Sequence, residues 1–412
     1  MQELIDFINE SWDGTLRVHT EDEGTLVGLP KPYTVPSIND FFNELYYWDT
    51  YFTNIGLILS GKPDYAKNNT ENIAYLIKRF GFMPNGNRTY YLNRTQPPFF
   101  SLMVKDVFSR TGDLAWLSEM YEVAKTEYDF WMRERSTLNG LNRYYHNLTG
   151  PDDPAIQSVL DEFCPRIGEP LPEDKDKRFE LATVGRAMFE SGWDCNSRFG
   201  LRLTDYNWLD LNCLLYGMEN DMVLFAEKLD RSEEAALWRE RAEKRRGLLN
   251  KYCWNERLGA FCDYDFVNQK TSDFLSLASF YPLFVSLATK EQAESTMKLL
   301  PKFECEFGLA CCEDRDDLMH LQWDRPYGWA CLHHIAITGM MKYAFLSDAK
   351  RIAEKYCALV EMNFKKNHNI WEKYNVVTGD VLQSKETKRK PITMMGWSAG
   401  VYLFANVIKK RL

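Results

Sequence analysis

The sequence predicts an all-α fold, a closed ring of helical hairpins, and three observations lead there. Apolar residues recur at three- and four-residue spacing along most of the chain. Patches with strand-like alternation are few and short, and the chemically distinctive residues cluster between the helical stretches.

The helical stretches follow one another in this order: 70–82, 113–134, 209–229, 232–254, 290–300, 327–345 and 347–364. Asp113, Ser232 and Ser347 stand where side-chain oxygens would cap a first turn. NRYYHN (142–147) and GAFCDYDF (259–266) can form minor hairpins but no main sheet. The whole pattern gives about ten to thirteen helices. Helices in that number pair into a ring, six inner and six outer; an open helical array is the alternative, and no fixed-period repeat marks one.

The chain has 412 residues, long for one domain, yet no Pro-rich or Ser/Gly-rich linker divides it, so 1–412 reads as a single barrel domain. A net charge of -9 excludes a broad basic field for a nucleic-acid partner. No apolar run is long enough to span a membrane. The N-terminal stretch MQELIDFINESWDG is acidic and polar, unlike a signal or transit peptide. The ten cysteines show no Cys-x-x-Cys pair or zinc spacing, so reduced, buried thiols in a cytoplasmic protein are expected.

Aromatic residues reach 14%, with 12 Trp and 22 Tyr. Most of that excess belongs in a core, but indole faces also stack on sugars. Three Trp-Asp pairs recur in inter-helical segments: Trp48-Asp49 in ELYYWDTYF, Trp193-Asp194 in ESGWDCNSRFG and Trp323-Asp324 in LQWDRPYGWA. A pyranose offers apolar C–H faces to indoles and a rim of hydroxyls to carboxylates, amides and arginines. The repetition therefore points to a small carbohydrate as substrate. Cleaving a glycosidic bond takes two carboxyl groups, and the proton donor needs a raised pKa. Asp49, Asp194, Asp324 and Glu372 form the shortlist, with Glu44 and Asp210 as outsiders; spacing does not choose among them.

Longer motifs narrow the choice. LIKRFGFMPNGNRTYYLNRTQPPF (76–99), SGWD (191–194) and QWDRPYGWA (322–330), together with EKY (372–374), closely resemble segments of the trehalases, and the likeness runs from residue 26 to residue 406. That resemblance implies an (α/α)6 barrel with no metal or organic cofactor, and inverting hydrolysis of a short α-glucoside, trehalose first among them. It implies Asp194 as general acid and Glu372 as general base. It also puts Trp48, Asp49, Asn85, Arg94, Gln96 and Gly192 in the sugar-binding subsite. Trp193, Gln322, Trp323 and Asp324 are expected to line the same cleft. His333 and His334 fall inside a helix and read as packing residues.

The chain departs from the family pattern in three places. A sugar-binding Arg is replaced by Phe41 within PSINDFFNE (36–44). An Arg-Pro-Glu motif expected ahead of SGWD is absent, with GPDDPAIQSVLDE (150–162) in its stead. A Gly-rich lid is exchanged for 379–397, which carries Lys385, Lys388, Arg389 and Lys390. That basic run is either a solvated surface or a contact for an anionic leaving group. These exchanges leave open a glycerate-linked or phosphorylated α-glucoside, and a non-catalytic sugar-binding protein, as alternatives to trehalose hydrolysis.

Overall fold

A computed structural model of the chain describes residues 2–38, 42–381 and 395–412. Phe41 and the basic residues Lys385, Lys388, Arg389 and Lys390 lie outside the described residues. In chain order the helices are α1 (Gln2–Ser11), α2 (Tyr47–Leu59), α3 (Pro63–Phe80), α4 (Phe100–Thr111), α5 (Leu114–Glu134), α6 (Ile156–Ile167), α7 (Lys175–Glu190) and α8 (Leu209–Lys228). They continue with α9 (Ser232–Cys253), α10 (Tyr281–Phe284), α11 (Lys290–Met297), α12 (Leu300–Phe303), α13 (Ala330–Lys342), α14 (Leu346–Asn367) and α15 (Gly396–Arg411). Thirteen of these have eight residues or more, the upper end of the count expected from periodicity.

Six of them close a ring: α2 packs on α4, α4 on α8, α8 on α10, α10 on α13, α13 on α15, and α15 back on α2. An outer layer covers it, α3 lying against α2 and α4, α5 against α4 and α8, α9 against α8, and α14 against α13 and α15. This is the (α/α)6 architecture. The helices α6 and α7 form a separate hairpin with its own small apolar cluster around Val159, Leu160 and Ala182. Inner helices are buried nearly all round: α8 shields Asp210, Asn212, Glu219 and Asp221 as well as its leucines. The acidic groups among them are spoken for, Glu219 by Arg245 at 2.8 Å and Asp221 by Lys105 at 2.6 Å.

The expected caps divide. The Asp113 carboxylate accepts from the Trp116 amide at 3.0 Å and starts α5 as predicted. Ser232 and Ser347 are corrected: α9 begins with Ser232 as its first helical residue after Arg231, and α14 begins at Leu346 after Phe345. Neither helix has a side-chain cap, because the residues at the cap positions, Arg231 and Phe345, carry no side-chain acceptor. The minor strands also divide. Ala260–Phe261 and Tyr264–Asp265 pair antiparallel with neighbours, whereas 142–147 makes one isolated bridge, Asn142 to Ser136, and is otherwise irregular.

Ring closure depends on a glycine crossing. A methyl group on Gly400 would sit 2.2 Å from the Phe52 carbonyl oxygen, and one on Gly56 would sit 2.6 Å from the Gly400 Cα. The backbones of α2 and α15 therefore touch, and no other residue type fits either position without parting them. We expect Gly400→Ala to cost about 3 kcal/mol of stability. Chemical denaturation checks this; a midpoint equal to the parent's means the helices separate freely there.

Candidate active site

The crossing puts the start of α2 beside the start of α15, and the inter-helical loops of this end converge on them. Trp48 and Asp49 occupy the first turn of α2; Trp397 opens α15. The Trp397 indole N–H donates to the Glu372 carbonyl oxygen at 3.1 Å and thereby fixes the backbone under that carboxylate. Directly after Glu372, Lys373–Asn375 pairs antiparallel with Tyr327–Trp329, which holds the 322–330 segment next to it.

Asp194 follows the end of α7. Gly192 turns the chain with φ 72°, and a Cβ there would lie 2.7 Å from the Trp48 ring, so the backbone rests directly on that indole. The next loop is fastened by Asp324, whose carboxylate accepts from the Ser197 amide and the Leu321 amide, both at 2.8 Å, and from the Ser197 hydroxyl. The Trp323 amide donates to the Cys195 carbonyl at 3.0 Å. The loops that precede α8 and α13 are thus laced together next to Asp194.

These contacts correct part of the expected cleft wall. Asp324 is 1% exposed and its oxygens are committed to backbone, so it braces the loop instead of meeting a ligand. Trp193 is 0% exposed and Trp323 2%. Trp323 stacks on Trp329 at 3.9 Å, with Trp48 and Trp193 tilted against it at 5.6 and 5.5 Å. Trp397 meets Trp48 and Trp329 edge-on. The expected sugar platform is therefore a tryptophan floor whose faces are used on one another; Trp48, itself buried, can present no more than an edge. Gln322 is buried alongside, its backbone carbonyl accepting from the Trp329 indole at 3.2 Å.

The remaining expected residues do come together. Arg94 donates through Nε to the Asn85 side chain at 2.8 Å, and the Gln96 side chain accepts from the Trp48 amide at 3.3 Å. The Tyr47 amide bonds the Asn85 carbonyl at 3.0 Å, so loop 84–99 and the start of α2 form one unit. Behind it, the wholly buried Glu190 accepts from Arg135 Nε and Nη2 at 2.7 and 2.8 Å. The same carboxylate takes the Thr95 and Tyr145 amides, both at 3.0 Å. This fork ties α5, the 84–99 loop and the residue that begins ESGWD into one rigid block.

Electrostatics separate the carboxyls. Burial raises Asp194 to about 7; Arg166 and Arg94 pull against it, while Glu162 and Glu372 push further up. Its side chain is still 32% exposed, so it lies at the floor of an opening, not sealed in. Burial likewise raises Asp49 to about 7, with Glu372 and Asp194 adding to the rise. Asp49, Asp194 and Glu372 therefore share one site. The Glu372 side chain is 28% exposed and lies 3.4 Å from the Lys373 ammonium. The two outsiders are excluded: Asp210 is locked to Arg198 at 3.1 Å in the core, and Glu44 is held by Arg88 at 2.7 Å. His333 and His334 are buried and pushed down to about 4 and about 3, so both stay neutral as packing residues.

Two arginines were not expected from sequence. Arg166, from α6, lies 3.7 Å from Asp194 and 3.1 Å from Glu162. Arg186, from α7, is buried and lines a neighbouring cavity together with Arg94 and Glu162. One signal was available: Arg186 falls on the apolar face of α7, four residues after Ala182 and three before Phe189, where an arginine needs a reason. Among the described residues, no group of three or more His, Cys, Asp or Glu side chains is arranged to hold a metal ion. All ten cysteines are buried and unpaired with one another, and no described helix is long and apolar enough to cross a membrane. We expect Glu190→Ala, which strands the Arg135 guanidinium in the core, to lose about 3–5 kcal/mol. Thermal unfolding checks it; a Tm unchanged from the parent would mean that water replaces the carboxylate.

Comparison with known proteins gives a consistent answer. The family model described as trehalase matches residues 6–406. A periplasmic trehalase of Xanthomonas axonopodis pv. citri (strain 306) is 32% identical over 429 residues, spanning 98% of this chain and 72% of the relative. The solved neutral trehalase of Saccharomyces cerevisiae is 29% identical with a TM-score of 0.78, covering 99% of this chain and 80% of that one. A mannosylglycerate hydrolase from Thermus thermophilus, solved with glucose, shares the fold at 16% identity with a TM-score of 0.65, covering 98% of both chains. Barrel, loops and motifs thus agree over nearly the whole length, and the chain belongs to the trehalase family of glycoside hydrolases.

Proposed function

We propose that the protein hydrolyses a short α-linked glucoside with inversion, trehalose being the reference substrate, with Asp194 as general acid and Glu372 as general base. The observation that carries this reading is the Asp194 carboxyl, raised to about 7 by burial at the floor of an opening that Glu372 shares. A carboxyl that keeps its proton near neutrality can give it to a departing glycosidic oxygen. Two named trehalases among the relatives support trehalose as the first substrate to try.

In this mechanism the sugar ring to be released last lies over Asp49, Asn85 and Gln96, and Arg94, bonded to Asn85, stands between that ring and the cavity on the leaving-group side. Asp194 protonates the bridging oxygen as the bond to the anomeric carbon breaks. Glu372 removes a proton from a water that attacks the opposite face, so an α-linkage yields a β-anomer. The Trp397–Glu372 hydrogen bond holds the base still while charge develops.

The two carboxyls are told apart by leaving group. With trehalose, Asp194→Asn and Glu372→Gln should each lower kcat by roughly 10²–10⁴-fold. With α-glucosyl fluoride, whose fluoride leaves without a proton, Asp194→Asn should recover most of its rate and Glu372→Gln should not. Equal recovery, or α-glucose as the first product of α-glucosyl fluoride by NMR, would overturn the assignment; trehalose itself should give one α- and one β-glucose. The acid must be protonated, so kcat/KM should fall as pH rises through about 7. Arg166 stabilises the Asp194 carboxylate; Arg166→Gln should therefore move that alkaline limb to higher pH. A limb that stays in place, or moves down, would separate it from Asp194.

A further inference from the structure

We propose that the leaving-group side of this site is built for an anionic aglycone, a carboxylate or a phosphate monoester, received by Arg186 and Arg94. The proposal deepens the reading of Asp194 as the acid and rests on it. A cavity of 600 Å³ opens there, with Arg94, Arg186, Glu162 and Tyr91 in its wall. The leaving half of any substrate must lie on the side of the proton donor. This cavity is on that side, because Arg166 bridges the two, 3.7 Å from Asp194 and 3.1 Å from Glu162.

The charges around the cavity do not balance. Glu162 is paired with Arg166. Arg94 donates to the neutral Asn85 side chain and stacks over Tyr91 and Phe189. Arg186 is 5% exposed, and its buried Nε has no hydrogen-bond partner. Among the described residues no carboxylate forms an ion pair with Arg186 or with Arg94. Burial, joined by the like charge of Arg94, lowers Arg186 to about 9. A buried guanidinium that feels the charges of Glu162 and Asp153 but pairs with neither is costly, and two facing one cavity are more so. An anion bridging them removes both penalties, and the planar fork of an arginine matches a carboxylate or phosphate. A neutral sugar hydroxyl satisfies the N–H groups but leaves the repulsion in place.

The test compares charged and neutral partners of the same shape: the α-glucosides of glyceric acid and of glycerol, and trehalose 6-phosphate against trehalose. At least one charged member should exceed its neutral counterpart in kcat/KM by about tenfold or more. That ratio should collapse in Arg186→Gln, mainly through KM, and return in part in Arg186→Lys, which restores the charge without the fork. A separate arm needs no turnover: inorganic phosphate should raise the Tm of the parent and of Arg186→Lys but not of Arg186→Gln. Trehalose and α-glucosyl fluoride turning over with no charged preference would overturn this inference and leave the proposed function standing. Failure on every glucoside would instead defeat the reading of Asp194, and the phosphate arm would still decide whether the cavity takes an anion. No phosphate-induced shift in the parent counts against it.

Discussion

The contact on which the rest depends is the approach of α2 to α15 at Gly56 and Gly400. A ring of helices can close only if its last member reaches its first, and side chains at that seam would hold the two apart. With hydrogen in place of a methyl group, the Phe52 carbonyl and the Gly400 backbone meet directly. The consequence is chemical as well as architectural. Closure sets Trp48 against Trp397, and through Trp397 it sets Asp49 beside the segment that carries Glu372.

Around that seam the protein puts rigidity under the site and leaves charge at its surface. Trp48, Trp193, Trp323, Trp329 and Trp397 pack on one another, and each aromatic pair adds roughly 0.5–1.5 kcal/mol beyond its burial. Asp324 and Glu190 spend their carboxylates on backbone amides and on Arg135, which fixes loops arriving from different helices. Catalytic groups gain from such support, because a misplaced carboxyl transfers a proton poorly. What remains partly exposed above this floor is the set that can act: Asp49, Asp194 and Glu372, with Arg94 and Arg166 beside them.

The same division explains how identical residue types take different parts. Asp324 and Asp194 each follow a tryptophan and burial raises both, yet hydrogen bonds from Ser197 and Leu321 saturate Asp324 and pull it back, while Asp194 reaches about 7 at an opening. Burial raises Asp210 to about 6 and Asp194 to about 7, but Arg198 at 3.1 Å holds the first in an ion pair within the core, whereas Arg166 at 3.7 Å only tempers the second, which stays partly exposed. A difference of this size in partner distance and number shifts the balance between the ionised and the neutral carboxyl.

Much of this was legible in the chain itself. Periodicity gave the all-α class and the helices α5, α8, α9 and α14 close to their observed bounds, because an amphipathic stripe is written in local spacing; α3 starts seven residues before the expected stretch. The motifs 84–99, SGWD, QWDRPYGWA and EKY led to the family and to the segments around the opening. Burial was not legible. Three Trp-Asp pairs look alike in sequence, and only packing turned Trp193 and Trp323 into floor and Asp324 into a brace. Arg166 and Arg186 were missed because their motif is absent; they arrive from α6 and α7, a hairpin whose position relative to Asp194 no spacing rule encodes. The sequence by itself thus determined the helix class, the ring and the shortlist of carboxyls, since these follow from local pattern and motif. Which carboxyls burial raises, and which arginines face them, came only from packing, since pKa and charge balance depend on distances across the closed ring.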